Sequence, residues 1–187
     1  MRTAGAEIRG TDRDVGGLGQ LVAGREFRLG GIGGRHFAQV VIEVESILER
    51  ADLLGVAHGA DWLMQLALNP LIGHPETELI ESAIAAQAAP GAHAYIHGES
   101  ERLARPLLFL ARREDVAGRD WTEYFRVLSD PAPLGGWEAA FGSEAGLARL
   151  HNLKAFLGAV HLGAATSGDP ALLPLSTASL QALKALP

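Results

Sequence analysis

Four polar residues, His58, Asp61, Gln65 and Asn69, lie three, four and four positions apart, which lines them along one stripe of an α-helix. The residues around them are almost wholly apolar (Val56, Ala60, Leu63, Met64, Leu66, Ala67, Leu68), so the stripe must face solvent, a groove or a polar partner. Buried without a partner, each polar group would cost about 1–3 kcal/mol. One reading is a His–Asp pair in a groove, with Asp61 raising the basicity of His58. The other is a satisfied interhelical hydrogen-bond network that fixes helix register.

A second group follows. His93 and His97 are four apart, with Glu99 and Glu101 just beyond. On a helix, two histidines at that spacing can bind one metal ion and a carboxylate can complete a zinc set of the catalytic type. Pro90-Gly91 before the pair and Gly98 after it favour a loop instead, where the spacing has no geometric meaning, and HExxH is absent. The sharper reading joins the two groups. Glu99, Glu101 and Arg102 would complete a polar cluster with His58 and Asp61, a candidate hydrolase-type centre, with His58, His93 and His97 as candidate metal ligands. The blander one makes residues 99–113 a core helix with a solvated face: Leu103, Leu107, Leu110 and Ala111 form an apolar stripe opposite Glu101, Arg105 and Arg112. His151, Lys154 and His161 read as surface, and Trp62, Trp121 and Trp137 as core or interface anchors.

Composition narrows the classes. The 187 residues are most simply one domain, and 48% hydrophobic against 20% charged residues excludes a mainly disordered chain. A net charge of −6 gives no general attraction to nucleic acid or anionic lipid, so neither is expected as a partner. With no cysteine, disulfides, thiolate zinc sites, Fe–S clusters and cysteine nucleophiles are excluded. The charged N-terminal stretch MRTAGAEIRGTDRD is unlike a signal peptide, and no uncharged apolar run has the length of a membrane span. A cytoplasmic protein is expected. The slightly positive mean hydropathy predicts an apolar face covered by a protein partner or a second copy, as in a homodimer. Walker, GxGxxG, GxSxG and EF-hand patterns are absent, and no cofactor is expected.

The elements that must position these groups are helical. Residues 1–35 hold ten of the 23 glycines and read as an irregular arm. Beyond them, apolar residues recur at helical spacing over 37–48, 56–69 and 75–89, the second stretch stopping at Pro70 and the third beginning with Pro75 and ending before Pro90. A fourth helix is predicted over 98–116, bent at Pro106. Asp120 and Glu123 have capping-box spacing ahead of a short helix through Leu128, the segment PAPLGG reads as a loop, Ser143 caps a long helix to about residue 165, and Ser176 caps a short one in a 166–187 tail. The expectation is therefore a single all-α domain of six to seven helices with its core over 36–165. Antiparallel helix pairs would stack in a HEAT-like superhelix or an irregular bundle.

Several segments occur in a characteristic order: GIGGRHFAQVV, then AHGADWL at 57–63, NPLI at 69–72, HGESERLARPLLFLARRE at 97–114, DWTEYF at 120–125 and HNLKAFLGAVHL at 151–162. Over about residues 30–165 the chain resembles an uncharacterised bacterial family, domain of unknown function 2785, whose members show an Ala-His-x-Ala-Asp helix, an acidic helix start before Arg-Leu-Ala, and a late Asn-Leu-x-x-Phe-Leu helix. The resemblance implies a helical-repeat-like fold and supplies no activity. Where the family usually carries Lys-Gly-Trp-x-His upstream of Ala-His-x-Ala-Asp, this chain reads Arg50-Ala51-Asp52-Leu53-Leu54. An activity resting on that stretch would be lost here. Together these readings favour a non-catalytic scaffold or interaction domain, with the hydrolase or metal-binding cluster as the alternative.

Overall fold

The computed structural model describes residues 53–187; the glycine-rich arm and the helix expected over 37–48 lie outside them. Within the described residues the chain is all-helical, with seven α-helices and no strand. These are α1 (Leu53–Leu68), α2 (His74–Ala88), α3 (Glu99–Leu110), α4 (Trp121–Leu128), α5 (Trp137–Ala140), α6 (Glu144–Thr166) and α7 (Leu173–Ala185).

Helix α3 is central because it is apolar on two sides. Leu103, Leu107 and Leu110 are fully buried, with Ala104 and Pro106 beside them, and the helix packs against α1 on one flank and α6 on the other. The facing stripe of α1 is Val56, Ala60, Leu63 and Ala67. From α6 come Leu153, Phe156, Leu157 and Val160, all fully buried. Helix α7 lies on α6, and α4 on α7 through Phe125. Helix α2 contributes Ile80, Ala83 and Ile84, and touches α1, α3 and α6.

Local signals account for most of the boundaries. Gly73 N–H donates to Glu76 Oε2 at 2.9 Å ahead of Pro75, opening α2. Asp120 accepts from Glu123 N–H at 3.0 Å to start α4, and Ser143 accepts from Gly146 N–H at 3.0 Å to start α6. Three expectations need correction. The fourth helix stops at Leu110, not near residue 116, and a separate 3-10 turn, Glu114–Val116, follows. Arg113 between them is extended, which frees its side chain to reach the end of α1. The PAPLGG segment contains a 3-10 turn, Ala132–Leu134, and leads directly into α5. Ser176 does not cap the last helix. Asp169 and the 3-10 turn Pro170–Leu172 lead into it, and Ser176 is buried within it with its Oγ 3.0 Å from His161 Nδ1. His161 is therefore a half-buried packing residue, not simply surface.

The α5–α6 corner depends on a missing side chain. A Cβ on Gly146 would sit 2.4 Å from Ala140 O and 2.5 Å from Ala140 Cα, both backbone atoms. Gly146→Ala should destabilise the fold by about 1–3 kcal/mol through overpacking. That cost should outweigh the roughly 1 kcal/mol alanine normally gains over glycine in a helix. A urea unfolding midpoint at or above that of the unmodified chain would refute the close approach.

Candidate functional site

The polar stripe on α1 comes out divided. His58 and Gln65 are exposed, and Asp61 is half-buried. Asn69 lies just past the helix and accepts from Leu71 N–H at 2.9 Å, so it shapes the turn into α2. Asp61 Oδ2 accepts from Arg102 Nη1 at 3.2 Å, linking α1 to α3. With both side chains more than two-fifths exposed, this pair contributes about 0–1 kcal/mol, enough to favour register but little more. Glu99 takes another role. Although it is 2% exposed, its Oε2 accepts from His97 N–H at 2.8 Å and ties the preceding loop to the first turn of α3. Glu101 is exposed. The structure thus joins Asp61 to Arg102 and Glu99 to the His97 backbone.

His93 and His97 lie in the loop between α2 and α3, so their spacing of four does not bring the rings onto one helix face. His97 is exposed. The ring of His93 packs edge-on to Tyr95 at 5.4 Å, and its Nε2 is buried without a hydrogen-bond partner. Among the described residues, no three His, Asp or Glu side chains are placed to hold a metal ion. His93 and His151 line a recess of about 690 Å³ between the loop and the first turns of α6.

Three polar constructions went unrecognised in the sequence. The first is Asn152, which is fully buried. Its Nδ2 donates to Pro90 O at 3.0 Å and His93 O at 2.8 Å, and its Oδ1 accepts from Tyr95 N–H at 2.7 Å. On either side, Arg149 Nη1 donates to Ala89 O at 3.1 Å and His151 Nε2 lies 3.1 Å from Tyr95 O. One turn of α6 therefore holds the whole α2–α3 loop. Tyr95 OH donates to Gln87 O at 2.9 Å, and burial, then the nearby Glu99 charge, pushes the phenol well above its ordinary range.

The second is Arg113. Its Nη1 donates to Ala67 O at 3.3 Å and Asn69 O at 3.0 Å, and its Nη2 to Ile72 O at 2.7 Å. Asp115 steadies it from the other side through contacts of 2.8 and 3.0 Å. The Arg113 hydrogen bond holds the Asp115 carboxyl below the usual carboxylate range. A folded-state pKa below the unfolded value of about 3.9 means that this contribution is complete near neutral pH and disappears as pH falls through the folded value. The acid-unfolding limb of Asp115→Asn should accordingly be shallower than that of the unmodified chain, and an identical limb would exclude the linkage.

The third is Glu81, 3% exposed on α2, with Arg119 Nη2 2.6 Å from its Oε2. Burial pushes the Glu81 carboxyl up, and Arg119 acts against that. Tyr124 OH donates to Glu81 O at 3.0 Å.

These arrangements describe an all-α domain whose buried polar groups mostly join helix to helix and loop to helix. The chain belongs to the family described as protein of unknown function (DUF2785), whose model matches residues 55–162, from α1 into the last turns of α6. No curated protein and no solved structure matches it.

Proposed function

We propose that this chain is a non-catalytic helical scaffold or interaction domain of the cytoplasm that associates through apolar surface with a protein partner or a second copy of itself. The observation that carries the reading is the set of large apolar side chains left outside a filled core. Leu71 is 76% exposed, Ile96 72%, Leu173 66%, Leu162 63%, and Trp62 and Phe141 56% each. Among the described residues many large side chains, Phe125 and Phe156 with them, are by contrast fully enclosed, so the exposed ones are not the residue of poor packing. Where such side chains lie contiguously they form association surfaces. A HEAT-like stack is the arrangement we infer for the helices, with α3 and α6 at its centre. No helix among the described residues is long and apolar enough to cross a membrane.

Support also comes from how the motif residues are used. Asp61 pairs with Arg102, Glu99 holds the His97 backbone, and Asn152 fastens a loop. In the hydrolase alternative the same groups would have to serve a substrate. The test is to replace Ile96, Leu162 and Leu173 with serine, singly and together. Self-association or partner binding should weaken while the melting temperature stays nearly constant, since surface substitutions usually change stability by less than about 0.5 kcal/mol. Unchanged association in the triple variant would count against these side chains as the contact.

A further inference from the structure

The first two turns of α6 carry Glu144, Leu147, Ala148 and His151 along one stripe, because these positions repeat with the helical period. The stripe is one wall of the recess of about 690 Å³, and residues 91–94 of the α2–α3 loop are the other. Glycine and alanine leave that hollow open, whereas Leu147 in the same wall is 47% exposed. Ile96, 72% exposed, follows Tyr95, whose carbonyl lies 3.1 Å from His151 Nε2, so a second bare apolar side chain borders the same face. The face is set before anything binds it. Asn152, Arg149 and His151 hold the backbone of Ala89, Pro90, His93 and Tyr95, so association has little loop left to order. Its polar groups are incompletely used. Glu144 is exposed and has no ion-pair partner among the described residues, and His93 Nε2 is buried without a hydrogen-bond partner.

We propose that this face is the contact between two copies of the chain, related by a twofold axis that passes α6 between Leu147 and Ala148. The stripe is complementary to itself under that operation. Two antiparallel α6 helices set Glu144 of each copy against His151 of the other, and Leu147 of each against the other's Ala148. A leucine meets an alanine at both inner places, so each projecting side chain enters a hollow. A carboxylate meets an imidazole at both outer places. His151 Nε2 is occupied by Tyr95 O, and Nδ1 donates as well in the imidazolium form, which a facing carboxylate favours. The match of charge and shape within one stripe selects a second copy, because an unrelated partner would not need it. Ile96 of each copy extends the apolar contact at its margin. This dimer rests on the interaction reading above and gives it one surface and one partner.

The test is sedimentation equilibrium of the full chain and its variants, each checked for an unchanged melting temperature. Leu147→Arg should weaken the dimer by roughly tenfold or more, since it places an unpaired charge at the centre of the contact. Leu71→Ser, at the end of α2 remote from the loop, should leave it unchanged although Leu71 is 76% exposed. Glu144→Lys should weaken it by about tenfold, and adding His151→Glu should restore most of that loss, because the exchanged charges face each other again. Self-association indifferent to Leu147→Arg and Glu144→Lys would overturn this face and leave the interaction reading standing. A double variant no tighter than Glu144→Lys would overturn the pairing that defines the axis. A strict monomer that retains another protein would overturn the dimer alone, and one that retains none would overturn both.

Discussion

Asn152→Ala should lower the stability of the domain by about 3–5 kcal/mol, at the upper end of what single substitutions do. The reason is the number of backbone groups it would leave behind. Asn152 answers two carbonyls, Pro90 O and His93 O, and one amide, Tyr95 N–H, from a side chain with no exposed surface. Each orphaned group costs about 1–3 kcal/mol where water cannot replace the lost partner, and a small cavity adds to that. Asn152→Asp should be no rescue. A carboxylate still accepts from Tyr95 N–H but sets an oxygen against two carbonyls that need a donor. His151→Ala, at an exposed residue with one contact to the same loop, should cost less than about 1 kcal/mol. Urea unfolding gives the magnitudes, and hydrogen exchange at Tyr95 reports whether the loop opens locally. A loss in Asn152→Ala no greater than that in His151→Ala would mean that Asn152 does not hold the loop.

Arg113→Ala should cost about 2–4 kcal/mol. The last carbonyls of a helix lack intrahelical donors and carry the negative end of its dipole. At the end of α1 this one guanidinium supplies donors to Ala67 O and Asn69 O, and extends to Ile72 O before α2. Hydrogen bonds from a charged donor contribute about 1.5–3 kcal/mol each, and the exposed fraction of this site reduces their sum. Lysine should recover little, because a compact ammonium cannot span three carbonyls and a carboxylate as a planar fork does. Thermal unfolding of Arg113→Ala and Arg113→Lys checks both statements. Equal melting temperatures for Arg113→Lys and the unmodified chain would show that charge alone suffices.

Most helix starts were legible because they rest on short-range chemistry. Pro75, the Asp120–Glu123 pair and Ser143 each act within one turn of themselves, and α2, α4 and α6 begin where those residues place them. The end of α3 was not legible. Arg112-Arg113-Glu114-Asp115 carry no proline or glycine stop signal, and the extended backbone at Arg113 goes with a long-range contact of its guanidinium to the carbonyls at the end of α1. The start of α7 was misplaced because Ser176 has the type of a cap, whereas its hydroxyl is directed to His161 on the neighbouring helix.

The candidate site divides in the same way. The Asp61–Arg102 contact was accessible from residue type and position on two helices. The role of Asn152 was not, because among His151, Asn152 and Lys154 the choice of inward-facing residue depends on a loop 57 residues earlier. Glu81 gave no signal either. One glutamate among Glu76, Glu78 and Glu81 is buried only because α2 turns that face toward Arg119 and Tyr124.

The most direct test of the interaction-domain account is sedimentation velocity of the full chain across a wide concentration range, alone and with any partner it retains on purification. The account predicts a mass above the 19.7 kDa of one chain that rises with concentration, or a stable complex of defined stoichiometry. A strict 19.7 kDa monomer at every concentration, with no retained partner, would contradict it.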